Sequence, residues 1–471
     1  MTFQQYPSKL GIPSGTTAQR PTNPIIGDTY YDGTLGFLFI FDGTAFIPCS
    51  APAAQPSIVV TDVGTSVAYG TLQGSVAFTE GVSGGKAAGF TAIQGAFSQT
   101  GTTSPQVVTI TGTPGTYTFT GTAFNGFGTS PQAVSTSIAL TSLPQAPTIG
   151  TATSSLVTSD ITVTWTLGSN GGKNLSAITI TPYLNGTTAQ TAQTAATTSS
   201  TTHVFTGLTS GSAYTFKVKT TNANGVSLES SASNSVTVTT FITPSYLIVA
   251  GGGGNAVGQG GNREAGSGAG GMRTGSATIA KGVTYTITVG AGGTGQANGV
   301  NSSITGTGLT TISCTGGGKG GNSDNAPAGN GGNGGSGGGA WYINAAGTGV
   351  SGEGNNGGIG YSNDPYGGAG GGAGSAGGRE TSAGAGLASS ITGTSVTYAA
   401  GGVSNNYPST TRDANGAANT GNGASGVGNG GSGVVIISTT TSAVSTTGSP
   451  TVTTNGSNTV YKFTGDGTIT Y

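Results

Sequence analysis

The sequence predicts a mainly β chain. It comprises an N-terminal β-meander, two β-sandwiches, a glycine-rich domain of packed polyglycine II helices, and a C-terminal β-hairpin. Three observations carry this reading. Short apolar and Thr-rich runs are punctuated by Asp-Gly and Asn-Gly pairs, the turn signals of antiparallel strands. A patterned segment recurs after 97 residues, from Tyr117 to Tyr214. Most of the 93 glycines fall between residues 245 and 438, often in columns spaced by three. No long apolar stripe of helical period is present.

Residues 1–50 form the meander. In "GDTYYDGTLGFLFIFDGTAFIPC", Asp32-Gly33 and Asp42-Gly43 mark turns. Phe37, Phe39 and Phe41 alternate with Leu38 and Ile40, so both strand faces are apolar. A unit this small cannot bury two faces by itself. Tyr30, Tyr31, Phe37, Phe39, Phe41 and Phe46 are therefore expected to form an assembly interface with a sister chain or a larger particle. "APAAQPS" reads as the linker that follows.

Residues 57–142 and 147–240 are the two sandwiches, separated by the proline-containing "LPQAPTIG". "YTFTGTAFNGFGTS" and "YTFKVKTTNANGVS" share Tyr, Asn and Gly at equal offsets: Tyr117 and Tyr214, Asn125 and Asn222, Gly128 and Gly225. Such a period suits sandwiches of ~100 residues. The second unit resembles a fibronectin type III domain, through Trp165 in "ITVTWTLGSNGGKNLSAITITPY" and the spacing of Leu208 and Tyr214 in "GLTSGSAYTFKVKTTNANGVS". The resemblance implies that Trp165 and Tyr214 are core residues. The first unit lacks the Trp and the Leu and reads as a related immunoglobulin-like sandwich.

Residues 245–438 open on the strand "SYLIVA" and close on "GVVIIS". Between them, "NGGNGGSGGGA" and "GGAGGGAGSAGG" repeat every three residues. Three residues per turn is the polyproline II geometry, which has no internal hydrogen bonds. Glycine helices of this kind can bond to one another laterally when no side chain keeps them apart. Ile343, Ile359, Leu387, Ile391, Val396 and Tyr398 are expected to anchor the stack. Residues 439–471 read as the terminal hairpin, with turns at Asn455-Gly456 and Asp466-Gly467.

The pattern "YLIVAGGGG…GAGGMRTGS…YTITVGAGG…GGSGVVIIS" is similar to the glycine-rich domain of bacteriophage tail-fibre and adhesin proteins, those of cyanophages especially. "RPTNPIIGDTYYDGTLGFLFIFDGTAF" looks like an attachment segment of phage virion proteins. These resemblances imply a virion protein that leaves the host by lysis and touches the host surface through loops of the glycine domain. Partners would be other virion proteins and a host surface protein or glycan, with a homo-oligomer expected and a trimer favoured. A virion structural component without a receptor, and a polysaccharide depolymerase, are the alternatives.

Composition limits other functions. Charged residues are 6% of the chain and the net charge is -1, so no basic stripe for nucleic acid exists. No apolar run approaches the ~20 residues of a membrane helix. The N-terminus lacks the pattern of a secretory signal. Cys49 and Cys314 have no metal-binding spacing. Gly251, Gly253 and Ala256 imitate a dinucleotide fingerprint, but no helix can follow them. Lys319 in "GGGKGGN" imitates a phosphate loop without its Ser or Thr. His203 is the single histidine and reads as an ordinary strand residue, and Asp324 as a turn residue. Glu353 and Asp364 are the best candidate carboxylate pair, and solvated turns are the plainer reading. No catalytic residue, metal or cofactor is expected. A glycine stack has little room for rings, which places Trp341, Tyr342, Tyr361, Tyr366 and Tyr407 in loops or at its rim. With Arg379 and Arg412 they are the candidate receptor-binding residues; capping of the stack is the competing reading.

Overall fold

The computed structural model describes residues 11–34, 37–48, 52–82, 84–256, 264–322, 329–362, 366–405 and 412–471. The described residues form β-strands and one 3-10 turn, Thr17–Gln19, and include no α-helix. Cys49, Asp324, Asp364 and Tyr407 lie outside them, together with the expectations attached to those residues. The chain divides into two compact units. Residues 1–153, 161–206 and 212–237 form the first, and residues 154–160, 207–211 and 238–471 the second.

The first unit begins with a four-stranded sheet in the order Ser14–Gly15, Thr29–Asp32, Phe37–Phe41, Phe46–Pro48. Its registers place Tyr30, Phe39, Phe41 and Phe46 on one face and Tyr31, Leu38, Ile40 and Ile47 on the other. Two of the residues expected at an assembly interface are covered within the chain. Tyr30 and Phe39 are only 2% and 4% exposed. The Tyr30 hydroxyl donates to Thr16 O at 2.9 Å, and the Arg20 guanidinium lies 4.1 Å from the Phe39 ring centroid while pairing with the buried Asp32 carboxylate at 2.9 Å. A planar guanidinium can stack on a ring and bind a carboxylate at once, so the chain covers Tyr30 and Phe39 itself, while Phe41 and Phe46 on the same face stay half-buried. Tyr31, Leu38, Ile40 and Ile47 remain half-buried, and Ile25 and Ile26 are exposed.

Each sandwich packs alternating inward residues of two sheets. In the first, Leu72, Val76, Phe90, Val108, Ile110 and Phe119 meet in the core. In the second, Ile161, Val163, Phe205, Phe216 and Val218 are fully buried, and Trp165 and Tyr214 are buried beside them as expected. The repeat is visible atom by atom. Asn125 and Asn222 each accept the N–H two residues on, at 2.9 Å, and Gly128 and Gly225 take φ of 144° and 136°. The Tyr117 hydroxyl donates to Thr113 O at 2.7 Å, a tyrosine-corner bond made without the Leu of the second unit. His203 pairs with Gln193 through Nε2 at 2.8 Å and meets the Phe205 ring edge-on.

The last edge of the second sandwich is closed by a serine ladder. Ser227, Ser230 and Ser233 donate their N–H groups to Thr220, Val218 and Phe216, and their Oγ atoms accept the N–H groups of the same three residues. Ser130 and Ser135 do the same for Ala123 and Phe119. Three residues on the edge thus match two on the neighbouring strand. Ser230→Ala leaves the buried Val218 N–H without its acceptor. It is expected to cost ~1–2 kcal/mol in urea unfolding, and an unchanged midpoint would show the hydroxyl to be dispensable.

In the second unit, Ser245–Val249 and Val434–Thr439 pair antiparallel at the centre of a five-stranded sheet. The expected C-terminal hairpin is present, Thr451–Asn455 against Asn458–Phe463, and it is built into the larger sheets. Asn458–Phe463 pairs with Val434–Thr439, and Gly467–Thr470 joins Thr284–Thr288 in a second five-stranded sheet. Tyr461, Phe463, Ile469 and Tyr471 enter the core between these strands. An isolated hairpin could not bury them.

The glycine region is a laterally bonded stack. Along residues 265–271, Ala265, Gly268 and Gly271 donate to Gly321, Gly318 and Thr315; Gly266 and Ala269 donate to Gly368 and Gly371; Ser267 and Gly270 donate to Ala424 and Gly421. Each neighbour is met every third residue, as a polyglycine II helix requires. The carbonyls of this segment accept from Ala250 and Gly253, from Ser336 and Gly339, and from Gly402. It therefore has six backbone neighbours. A Cβ on Gly266 would lie 1.9 Å from Gly402 O. In "NGGNGGSGGGA", Gly332 and Gly335 donate to Lys319 and Gly316, while Gly331 and Gly334 donate to Ala345 and Thr348. Asn330 and Asn333 accept the N–H groups of Ala345 and Thr348 through Oδ1, so the asparagine column supplies acceptors that the backbone does not.

The expected anchors are only partly anchors. Tyr398 is buried with Ile391 and Val396 packed beside it, but Ile343, Ile359 and Leu387 are 71%, 54% and 46% exposed. Backbone contacts at glycine spacing leave no interior space for branched side chains.

Candidate functional site

The stack has two ends. Gly271, Thr315 and Met272 mark one, and Ala265, Gly321 and Gly368 the other; six residues at a rise of ~3.1 Å separate them by about 19 Å. Glu353 sits at the first end. Its carboxylate accepts the Thr315 N–H at 2.7 Å and its carbonyl accepts the Met272 N–H at 3.0 Å. It caps glycine helices there. Burial pushes the Cys314 thiol well above its ordinary pKa, and Sγ donates to Ile248 O at 3.4 Å.

The described candidates, Trp341, Tyr342, Tyr361, Tyr366, Arg379 and Arg412, gather at the second end, with one correction. Trp341 is buried at 7% exposure, and its ring lies 3.2 Å from the point where a Cβ on Gly367 would stand. Gly367 has no side chain, which leaves a slot at the margin of the stack for the indole. Trp341 therefore packs and offers no ring to a partner.

The exposed surface is built around Gly360. Its Cα approaches the backbone of Tyr342 so closely that a Cβ would lie 2.4 Å from Tyr342 O. This brings Ile359 and Tyr361 beside Tyr342 and Ile343. The four are 54%, 50%, 41% and 71% exposed. Arg379 lies 5.6 Å from the Tyr361 ring centroid. Tyr366 is half-buried, with the Arg412 guanidinium 5.8 Å from its centroid. Arg412 pairs with Glu380 at 3.0 Å. Behind them, Asn405 Nδ2 donates to the buried Glu264 carboxylate at 3.2 Å and to Asp413 Oδ1 at 2.6 Å, tying three flanks together. Sequence reasoning missed Ile343, Ile359 and Glu380. An apolar residue inside a glycine run was the one available signal for the two isoleucines, and it pointed inward. Among the described residues, no three His, Cys, Asp or Glu side chains gather as a metal site, and no helix is long and apolar enough to cross a membrane.

Residues 145–237 match the family model of the fibronectin type III domain, and residues 229–449 match that of a glycine-rich domain. The chain thus carries one domain of each kind. Among solved structures it is similar to the FN1-FN3 domains of chicken CNTN1, at 16% identity over 41% of this chain and 70% of that one, with a TM-score of 0.24. It is also similar to domains A168-A170 from titin, at 19% identity over 40% of this chain and 67% of that one, with a TM-score of 0.24. No curated relative matches the chain.

Proposed function

We propose that the chain is a virion attachment protein, a phage tail fibre or adhesin, that binds a host surface through the second end of the glycine stack. The observation that carries this reading is that Tyr342 and Ile343, and Ile359 and Tyr361, are exposed on two segments that meet at Gly360, with Arg379 over the Tyr361 ring. Aromatic, apolar and arginine side chains dominate binding energy at interfaces, and rigid elements hold them best. The neighbouring backbone is fixed laterally by the stack, so little order has to be gained on binding. The N-terminal sheet, with its half-buried Tyr31, Leu38, Ile40 and Ile47 and its exposed Ile25 and Ile26, would join the particle or sister chains.

The test is equilibrium binding of fluorescently labelled full-length protein to a panel of cyanobacterial cells. Saturable binding to a subset of strains is expected. Loss after protease treatment of the cells would assign a protein receptor, and loss after periodate a glycan. Absence of saturable binding to every strain would overturn the attachment reading and favour a structural place in the particle.

A further inference from the structure

We infer that Glu380 is the positioning residue of this surface, an inference that rests on the attachment reading. Glu380 has φ of 55°, in the left-handed region that favours glycine. Seven non-glycine residues with such φ occur among those described, and the two with the largest side chains, Tyr342 and Glu380, both lie at this end of the stack. Backbone strain of this kind persists only where surrounding contacts over-determine it. At Glu380 those contacts come from three segments. Its N–H donates to Gly367 O at 3.1 Å, its carbonyl accepts the Ser404 N–H at 3.1 Å, and its carboxylate holds Arg412 Nη2 at 3.0 Å.

Through these contacts one residue sets the two cation–ring pairs. Arg412 is held over Tyr366, and Arg379, the preceding residue, is presented over Tyr361. The Glu380–Arg412 pair is partly exposed, at 28% and 25%, so it adds little to folding stability. Its consequence is orientation. Glycine at position 380 would take the same φ without strain but would release Arg412. Glutamine would keep the strain and remove the charge.

The experiment compares full-length wild type, Glu380→Gln, Glu380→Gly and the double variant Ile343→Ala/Tyr361→Ala on cells that bind the wild type. Both Glu380 variants are expected to bind ~10-fold more weakly, the loss of one well-placed contact. Glu380→Gly is expected to melt at or above the wild-type temperature, because strain is relieved. Wild-type binding should weaken as salt rises from about 0.05 to about 0.5 M, and Glu380→Gln should lose that dependence. Wild-type affinity in both Glu380 variants, with binding lost in the double variant, would overturn the positioning role and leave the attachment reading standing. Melting temperature and binding falling together in both variants would make Glu380 merely structural. Unchanged binding in all three variants, or no cell that binds the wild type, would overturn both.

Discussion

Gly371→Val is expected to abolish the cooperative melting of the glycine stack while leaving the sandwich transition in place. Gly371 donates to Gly337 O at 2.9 Å and its carbonyl accepts the Ala269 N–H at 3.0 Å. A Cβ there would lie 2.2 Å from Asn355 O and 2.6 Å from Asn356 O. Both obstacles are backbone atoms, so no side-chain rotation can relieve the clash. The segments would have to separate, and several lateral bonds worth ~1 kcal/mol each would lengthen together. Overpacking adds ~1–3 kcal/mol. The sum, ~4 kcal/mol or more, is a large part of what holds a domain folded. Gly126→Ala is the control, since a Cβ there meets nothing within 4 Å. Calorimetry of the full chain reads both transitions. A second transition unmoved by Gly371→Val would mean that close lateral packing is not what orders the glycine region.

The features legible in the sequence were those written in local repetition. Asp32-Gly33 and Asp42-Gly43 announced hairpins, the 97-residue period announced paired sandwiches, and the glycine columns announced the stack. What stayed hidden depended on partners far along the chain. Arg20 covers Phe39 by reaching Asp32 and the ring at once. The strand Gly467–Thr470 pairs with Thr284–Thr288, far back in the sequence, with Thr284 and Thr470 bonded across 186 residues. The binding surface was half legible. Ring size correctly excluded Tyr342 and Tyr361 from the interior. It could not reveal that Gly367 opens a slot for Trp341. Nor could hydropathy reveal that Ile343 and Ile359 point outward, because the stack is held by backbone bonds and has no apolar interior to receive them.

Ile343→Ala together with Tyr361→Ala is expected to weaken adsorption to cells by ~100-fold or more, with the fold intact. The two side chains are 71% and 50% exposed, and substitutions at such positions usually change stability by less than ~0.5 kcal/mol. In a bound state both would be covered. An aromatic or large apolar anchor at the centre of an interface carries ~2 kcal/mol or more, and ~1.4 kcal/mol is a decade of affinity. The two stand on neighbouring segments held together at Gly360, so removing both leaves only Tyr342 and Ile359 of the four exposed groups beside Arg379. Trp341→Ala should behave in the opposite way. It empties the slot at Gly367 and costs ~3–5 kcal/mol of stability, and adsorption should fall only as far as the folded fraction falls. Binding isotherms on whole cells, paired with melting of the same preparations, separate the two cases. Full adsorption of the folded double variant would remove this patch from the attachment surface, and adsorption lost in a fully folded Trp341→Ala protein would return the indole to it.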